Sequence, residues 1–107
     1  MSERALGFMG LAAKAGALVI GTSATRDGLK RGAIAVVVVA SDRSRRTQEK
    51  VERLARGAGV PMLVGPTATA LGARLGRGAV QTVGIMDDAL ARGLVTAAAG
   101  SGAGGVS

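Results

Sequence analysis

Ile34-Ala35-Val36-Val37-Val38-Val39-Ala40 is an unbroken apolar run, rich in β-branched residues and without charge on either parity. A strand with one wet face alternates apolar and polar side chains, so a run of this kind belongs to a strand buried on both faces. Such a strand needs a layer above it and a layer below it. The segments on either side have the amphipathic periodicity of helices and can supply both. The expected fold is a three-layer α/β/α sandwich with residues 34–40 at the centre of its sheet.

The rest of the chain fits that frame. Ala5, Phe8, Met9, Ala12 and Ala15 recur at helical spacing, with Ser2 as the cap and Gly16 as the stop, so residues 3–15 read as a helix. Phe8 lies in that stripe and reads as a core residue rather than a stacking platform. Residues 17–20 make a short strand ended by Gly21. Thr22 or Ser23 caps the next helix, in which Gly28 points to close packing against the sheet. After the central run, Ser44 or Asp42 caps a helix to about residue 58, with Val51, Leu54, Ala55 and Ala58 as its buried stripe. Residues 60–64 form a strand with Pro61 at its start, where a missing N–H is tolerated. Thr67 caps a helix over 67–75 that Gly76 stops. Residues 77–81 form a loop, 82–86 a last strand, and Asp87 caps a final helix over about 88–98. This alternation predicts a four-stranded, mostly parallel or mixed sheet. Residues 1–99 form one domain, and 100–107 read as a flexible Gly/Ser-rich tail.

Composition removes most chemistry. The 107-residue chain has no Cys and no His, so thiolate nucleophiles, imidazole acid–base catalysis and the usual zinc ligands are excluded. With only seven acids, and Asp87-Asp88 the one adjacent pair, no metal site is expected. Gly72…Gly76-Arg77-Gly78 lacks the Gly-Lys-Ser/Thr of a phosphate-binding loop and reads as a helix stop and turn. Ser41-Asp42 follows a buried strand, where α/β sites often form, yet no base or cofactor loop accompanies it. The expectation is a protein with no cofactor that is not an enzyme. No run of 18 apolar residues suggests a membrane span, and no secretory h-region follows Met1, so a cytoplasmic location is expected.

The net charge of +7, from 14 basic and seven acidic residues, favours a polyanionic partner. Nine of the 14 basic residues fall between Arg26 and Arg56, against four acids. The Gly21–Gly32 stretch would point first-turn N–H groups outward, an anion site by geometry and dipole, with Arg26 and Lys30 on one face and Arg31 beside it. Arg46, Lys50 and Arg53 align on the following helix. Glu49 and Glu52 lie four residues before Arg53 and Arg56, so this face reads as solvated and salt-bridged. Sheet-face RNA readers and single-strand binders stack bases on aromatic rings, and this chain has only Phe8. What remains is folded RNA recognised by shape, phosphate contacts and a few polar side chains. DNA and membranes are not expected partners.

Three segments carry a family resemblance: Leu11-Ala12-x-Lys14-Ala15-Gly16-x-Leu18-Val19-x-Gly21, then Leu29-Lys30-Arg31-Gly32, then Ala40-Ser41-Asp42. Val60-Pro61, Leu71-Gly72 and residues 78–86 extend it across about 5–95. In this order they resemble the kink-turn-binding ribosomal protein superfamily, whose members include archaeal large-subunit proteins, snoRNP proteins and growth-arrest, DNA-damage-inducible proteins. The compact bacterial branch is the nearest in pattern. The resemblance implies binding of sharply kinked RNA with tandem sheared G·A pairs, in a ribosomal or regulatory ribonucleoprotein. It places the RNA face at the 21–27 turn and helix start (Gly21, Thr22, Ser23, Arg26 and Asp27), at Ser41, Asp42 and Arg43, and at Gly78, Ala79 and Val80; the basic face of the same helix adds Lys30 and Arg31 to the expected site. Where kink-turn binders carry Asn, then Glu, then Lys three residues later, this chain has Ser23, Ala24 and Asp27. The competing expectation is a protein-interaction module that keeps the fold and has lost specific kink-turn binding.

Overall fold

The computed structural model describes residues 1–106, with side chains through Ala99; the Gly/Ser-rich tail expected at 100–107 lies outside the residues described in full. The elements run α1 (Glu3–Lys14), β1 (Leu18–Ile20), α2 (Thr22–Lys30), β2 (Val36–Val39), α3 (Arg45–Ala58), β3 (Met62–Val64), α4 (Ala68–Arg74), β4 (Thr82–Ile85) and α5 (Asp88–Val106).

The apolar run behaves as its composition demands. Val36, Val37, Val38 and Val39 are fully buried, and alternate side chains go to opposite faces. Val36, Val38 and Ala40 join one core with Ala5, Met9 and Ala12 of α1, Leu71 of α4, and Ala91 and Leu94 of α5. Val37, Val39 and Ile34 join a second core with Leu29 of α2 and Val51 and Ala55 of α3. Burying one such side chain is worth about 1.5–3 kcal/mol, and a strand that buries all four this way has no tolerance for slippage by one residue.

The sheet order is β1-β4-β2-β3. β2 pairs with β3 in parallel, while β4 pairs antiparallel with both β1 and β2. The sheet is thus mixed, with β4 as its reversed member. The physical cause is the path between β3 and β4. α4 runs outward and the following loop runs straight back: Arg77 N–H donates to Gly72 O (3.0 Å) and Val80 N–H to Ala68 O (3.0 Å). A Cβ on Gly72 would lie 1.8 Å from Gly78 O, so only glycine lets the returning loop touch the helix. The chain therefore enters β4 at the edge where it left β3, and the strand must run antiparallel to its neighbours.

Helix starts follow the sequence at four of five places. Ser2 accepts from Ala5 N–H, Ser44 from Thr47 N–H, Thr67 from Ala70 N–H and Asp87 from Leu90 N–H. α2 differs. Neither Thr22 nor Ser23 caps it; Gly21, with φ of 105°, is the cap residue and makes no side-chain bond. The buried stripes also shift slightly. Leu6 is buried while Phe8 is half-buried, its ring pressed on Gly93 of α5, where a Cβ would lie 2.5 Å from Cε1. Ala15 and Ala58 are exposed because each sits at the very end of its helix, past the edge of the sheet.

Candidate nucleic-acid interface

Because β4 is reversed, its first residues meet the last residues of β1 and β2. Gly21 N–H donates to Thr82 O (2.8 Å), and the Thr22 and Thr82 hydroxyls pair at 3.0 Å. On the other side of β4, Ala40 N–H donates to Gln81 O (2.8 Å) and Ser44 N–H to Gln81 Oε1 (2.9 Å). Gln81-Thr82 therefore clasps the α2 start to the 41–44 loop, and the 77–80 loop lies directly before the clasp. The three segments expected to form one face are brought to one edge of the sheet.

Within that edge the residues divide. Gly21 and Thr22 are half-buried, and the Thr22 hydroxyl is engaged by Thr82. Ser23 is exposed in the first turn of α2, whose free N–H groups have no side-chain cap. Ser41 is exposed, its N–H bonded to Pro66 O (2.9 Å). Asp42 accepts from Ala68 N–H at 2.7 Å, so its carboxylate supports the start of α4. Arg43 is half-buried and turned inward: its guanidinium bonds Gln48 through Nε and Ala40 O at 3.2 Å. Gly78 and Ala79 are exposed, but the Val80 side chain lies in the core, which removes it from any surface contact. Arg77, exposed beside Gly78, is a cation at this edge that the family resemblance does not single out.

The cations of α2 turn towards α3. Arg26 and Lys30 face α3 across a cleft that Lys50, Arg53 and Leu54 complete. Arg31 is the C-cap residue, at the opposite end of α2 from Gly21, and the helix separates the two by about 15 Å. Asp27 is exposed and makes no ion pair among the described residues. Its charge stands one turn after Ser23, beside Arg26.

The α3 face bears out the expected Glu52–Arg56 pair and corrects the partner of Glu49. Glu49 pairs with Arg45 (3.8 Å) rather than Arg53, and Glu52 is taken by Arg56 (2.5 Å) and Gln48 (2.5 Å). Arg46, Lys50 and Arg53 have no ion pair among the described residues. The Lys50 ammonium is held below the usual lysine range, first by Arg46, then by burial, then by Arg26 across the cleft. The i, i+4, i+7 spacing of these cations was visible in the sequence. That α2 would answer it with two more was not.

Among the described residues no group of His, Cys, Asp or Glu could hold a metal ion, and no helix is long and apolar enough to cross a membrane. A compact α/β/α domain with its loops gathered at one strand edge defines the class. The model of the Ribosomal protein L7Ae/L30e/S12e/Gadd45 family matches residues 4–94, and the chain belongs to that family. A solved structure of a protein with unknown function from Bacillus halodurans C is similar at a TM-score of 0.84 and 24% identity, over 89% of this chain and 96% of that one. That likeness concerns the fold. No curated protein matches the sequence.

Proposed function

We propose that this chain is a non-enzymatic, ribosomal-protein-like RNA-binding protein that recognises structured RNA through the α2 start and the adjoining loops. The observation that carries the reading is the position of that start. α2 is the helix without a side-chain cap, and it opens on the edge where residues 41–44 and 77–80 converge. Its N–H groups and dipole favour an anion, and Ser23, Ser41 and Arg77 in the three segments are exposed. Membership of a family described by ribosomal proteins and a net charge of +7 point the same way. The partner is ribosomal or regulatory RNA in the cytoplasm, and no cofactor is required.

A second reading has its own observation. Thr22, Asp42 and Arg43 spend polar groups on bonds within the protein, and Asp27 sets a negative charge where kink-turn binders carry a positive one. A protein-interaction module of the same fold would show this pattern. The deciding experiment titrates the protein against a kink-turn RNA and a variant lacking the G·A pairs, at two salt concentrations. Tight binding that needs the G·A pairs supports kink-turn recognition by Ser23 and its neighbours. Equal, salt-sensitive binding to both supports recognition of structured RNA without that motif. Absence of binding at low salt overturns the RNA reading and leaves the interaction module.

A further inference from the structure

We propose that the cleft between α2 and α3, lined by Arg26, Lys30, Lys50 and Arg53, is a track for the RNA phosphate backbone beyond the loop edge. This inference rests on the RNA-binding reading and extends it from Arg26 and Lys30 of α2, already expected on the RNA face, to Lys50 and Arg53 of α3, which were not.

Several independent observations meet here. The cleft has a volume of roughly 340 Å³, and the charged side chains lining it are all cations. The carboxylates of α3 are engaged elsewhere, Glu49 by Arg45 and Glu52 by Arg56 and Gln48. On α2, Asp27 is exposed to solvent and is not among the lining residues. Arg26 Nε is buried and has no hydrogen-bond partner, an unmet donor at the cleft wall. The depressed Lys50 pKa reports the same repulsion from a different group. Four cations gathered from two helices, with no acid among them, cost free energy in the free protein and regain it when an anion enters.

The placement favours RNA over other anions. Arg26 lies one turn after Ser23, and Lys30 one turn further, so the cleft continues from the uncapped start of α2. A backbone crossing the loop edge would pass directly into it. Lysines and arginines facing phosphates position a nucleic acid without reading its bases.

The test compares three proteins on the same structured RNA across a salt series: wild type, the cleft variant Lys50→Gln/Arg53→Gln, and the α1 variant Arg4→Gln/Lys14→Gln. The last has the same net charge but lies on the opposite layer. Removing one phosphate-neutralising cation should lower the slope of log affinity against log salt by roughly 0.7–0.9. The cleft variant is expected to lose slope and affinity equally for kink-turn and control RNAs, and the α1 variant to match wild type. Wild-type affinity and slope in the cleft variant, or equal losses in both variants, overturn the phosphate track while leaving RNA binding at the loop edge intact. Failure of the wild type itself to bind RNA at low salt overturns both. Circular dichroism on each variant separates loss of binding from loss of fold.

Discussion

The layer formed by α1, α4 and α5 and the layer formed by α2 and α3 cover the same sheet with different side chains. On the first, Met9, Leu71 and Leu94 are fully buried beneath β2 and β4, and Phe8 reaches across to Gly93. On the second, the core is smaller, and the outward surface between the helices is lined by Arg26, Lys30, Lys50 and Arg53. One layer contributes most of the apolar burial. The other tolerates a concentration of like charge because a central strand buried on both faces already secures it. Stability and charge are thus placed on opposite sides of one strand, which lets a small domain carry a charged binding surface without weakening its main core.

That division can be broken from either side. Leu94→Ala leaves a cavity in the larger core and is expected to cost about 2–5 kcal/mol, read by denaturant unfolding. A cost well under 1 kcal/mol would mean that the α5 layer is not the main source of stability. Gly72→Ala forces a Cβ against the Gly78 carbonyl, with no flexible side chain to yield. It should destabilise by about 1–3 kcal/mol or more and loosen the 77–80 loop in hydrogen exchange. Thr82→Val leaves the Thr22 hydroxyl without its partner and should cost about 1–2 kcal/mol, with faster exchange confined to the start of α2.

The smallest effect tests the charged layer alone. The Lys50 ammonium should titrate below the ordinary lysine value of 10.5, and Arg46→Gln should move its midpoint up, since Arg46 is the largest cause of the shift. The sign for stability follows. A lysine whose folded pKa is depressed disfavours the folded state while charged, so stability should rise as pH climbs from the folded midpoint towards 10.5. Carbon-detected NMR on the Lys50 side chain reads the midpoint directly. A midpoint at or above 10.5 would mean that Arg46 and Arg26 do not crowd it.

Much of the fold was legible in the chain. The Ile34 to Ala40 run called for two covering layers because neither parity could face water, and it received them. Ser2, Ser44, Thr67 and Asp87 marked helix starts because a side-chain oxygen beside a free N–H is a local device that needs no distant partner. The direction of β4 was less legible. It depends on a fold-back between Gly72 and Gly78, and a glycine in a sequence does not say which carbonyl will approach it.

The candidate site shows the same boundary more sharply. Its three segments could be picked out by residue type and order, and the exposed Ser23, Ser41 and Gly78 stand where those segments meet. The inward turn of Arg43, the burial of Val80 and the bond from Ala68 N–H to Asp42 at the start of α4 depend on contacts across the sheet edge. Sequence alone determined the periodicities, the caps and the excess of cations, because each is a property of neighbours along the chain. Only the tertiary structure decided which cations face one another and which are neutralised. Glu49 had Arg45, Arg46 and Arg53 as candidate partners within one helical turn, and its pairing with Arg45, with the approach of α2, left Lys50 and Arg53 facing Arg26 and Lys30.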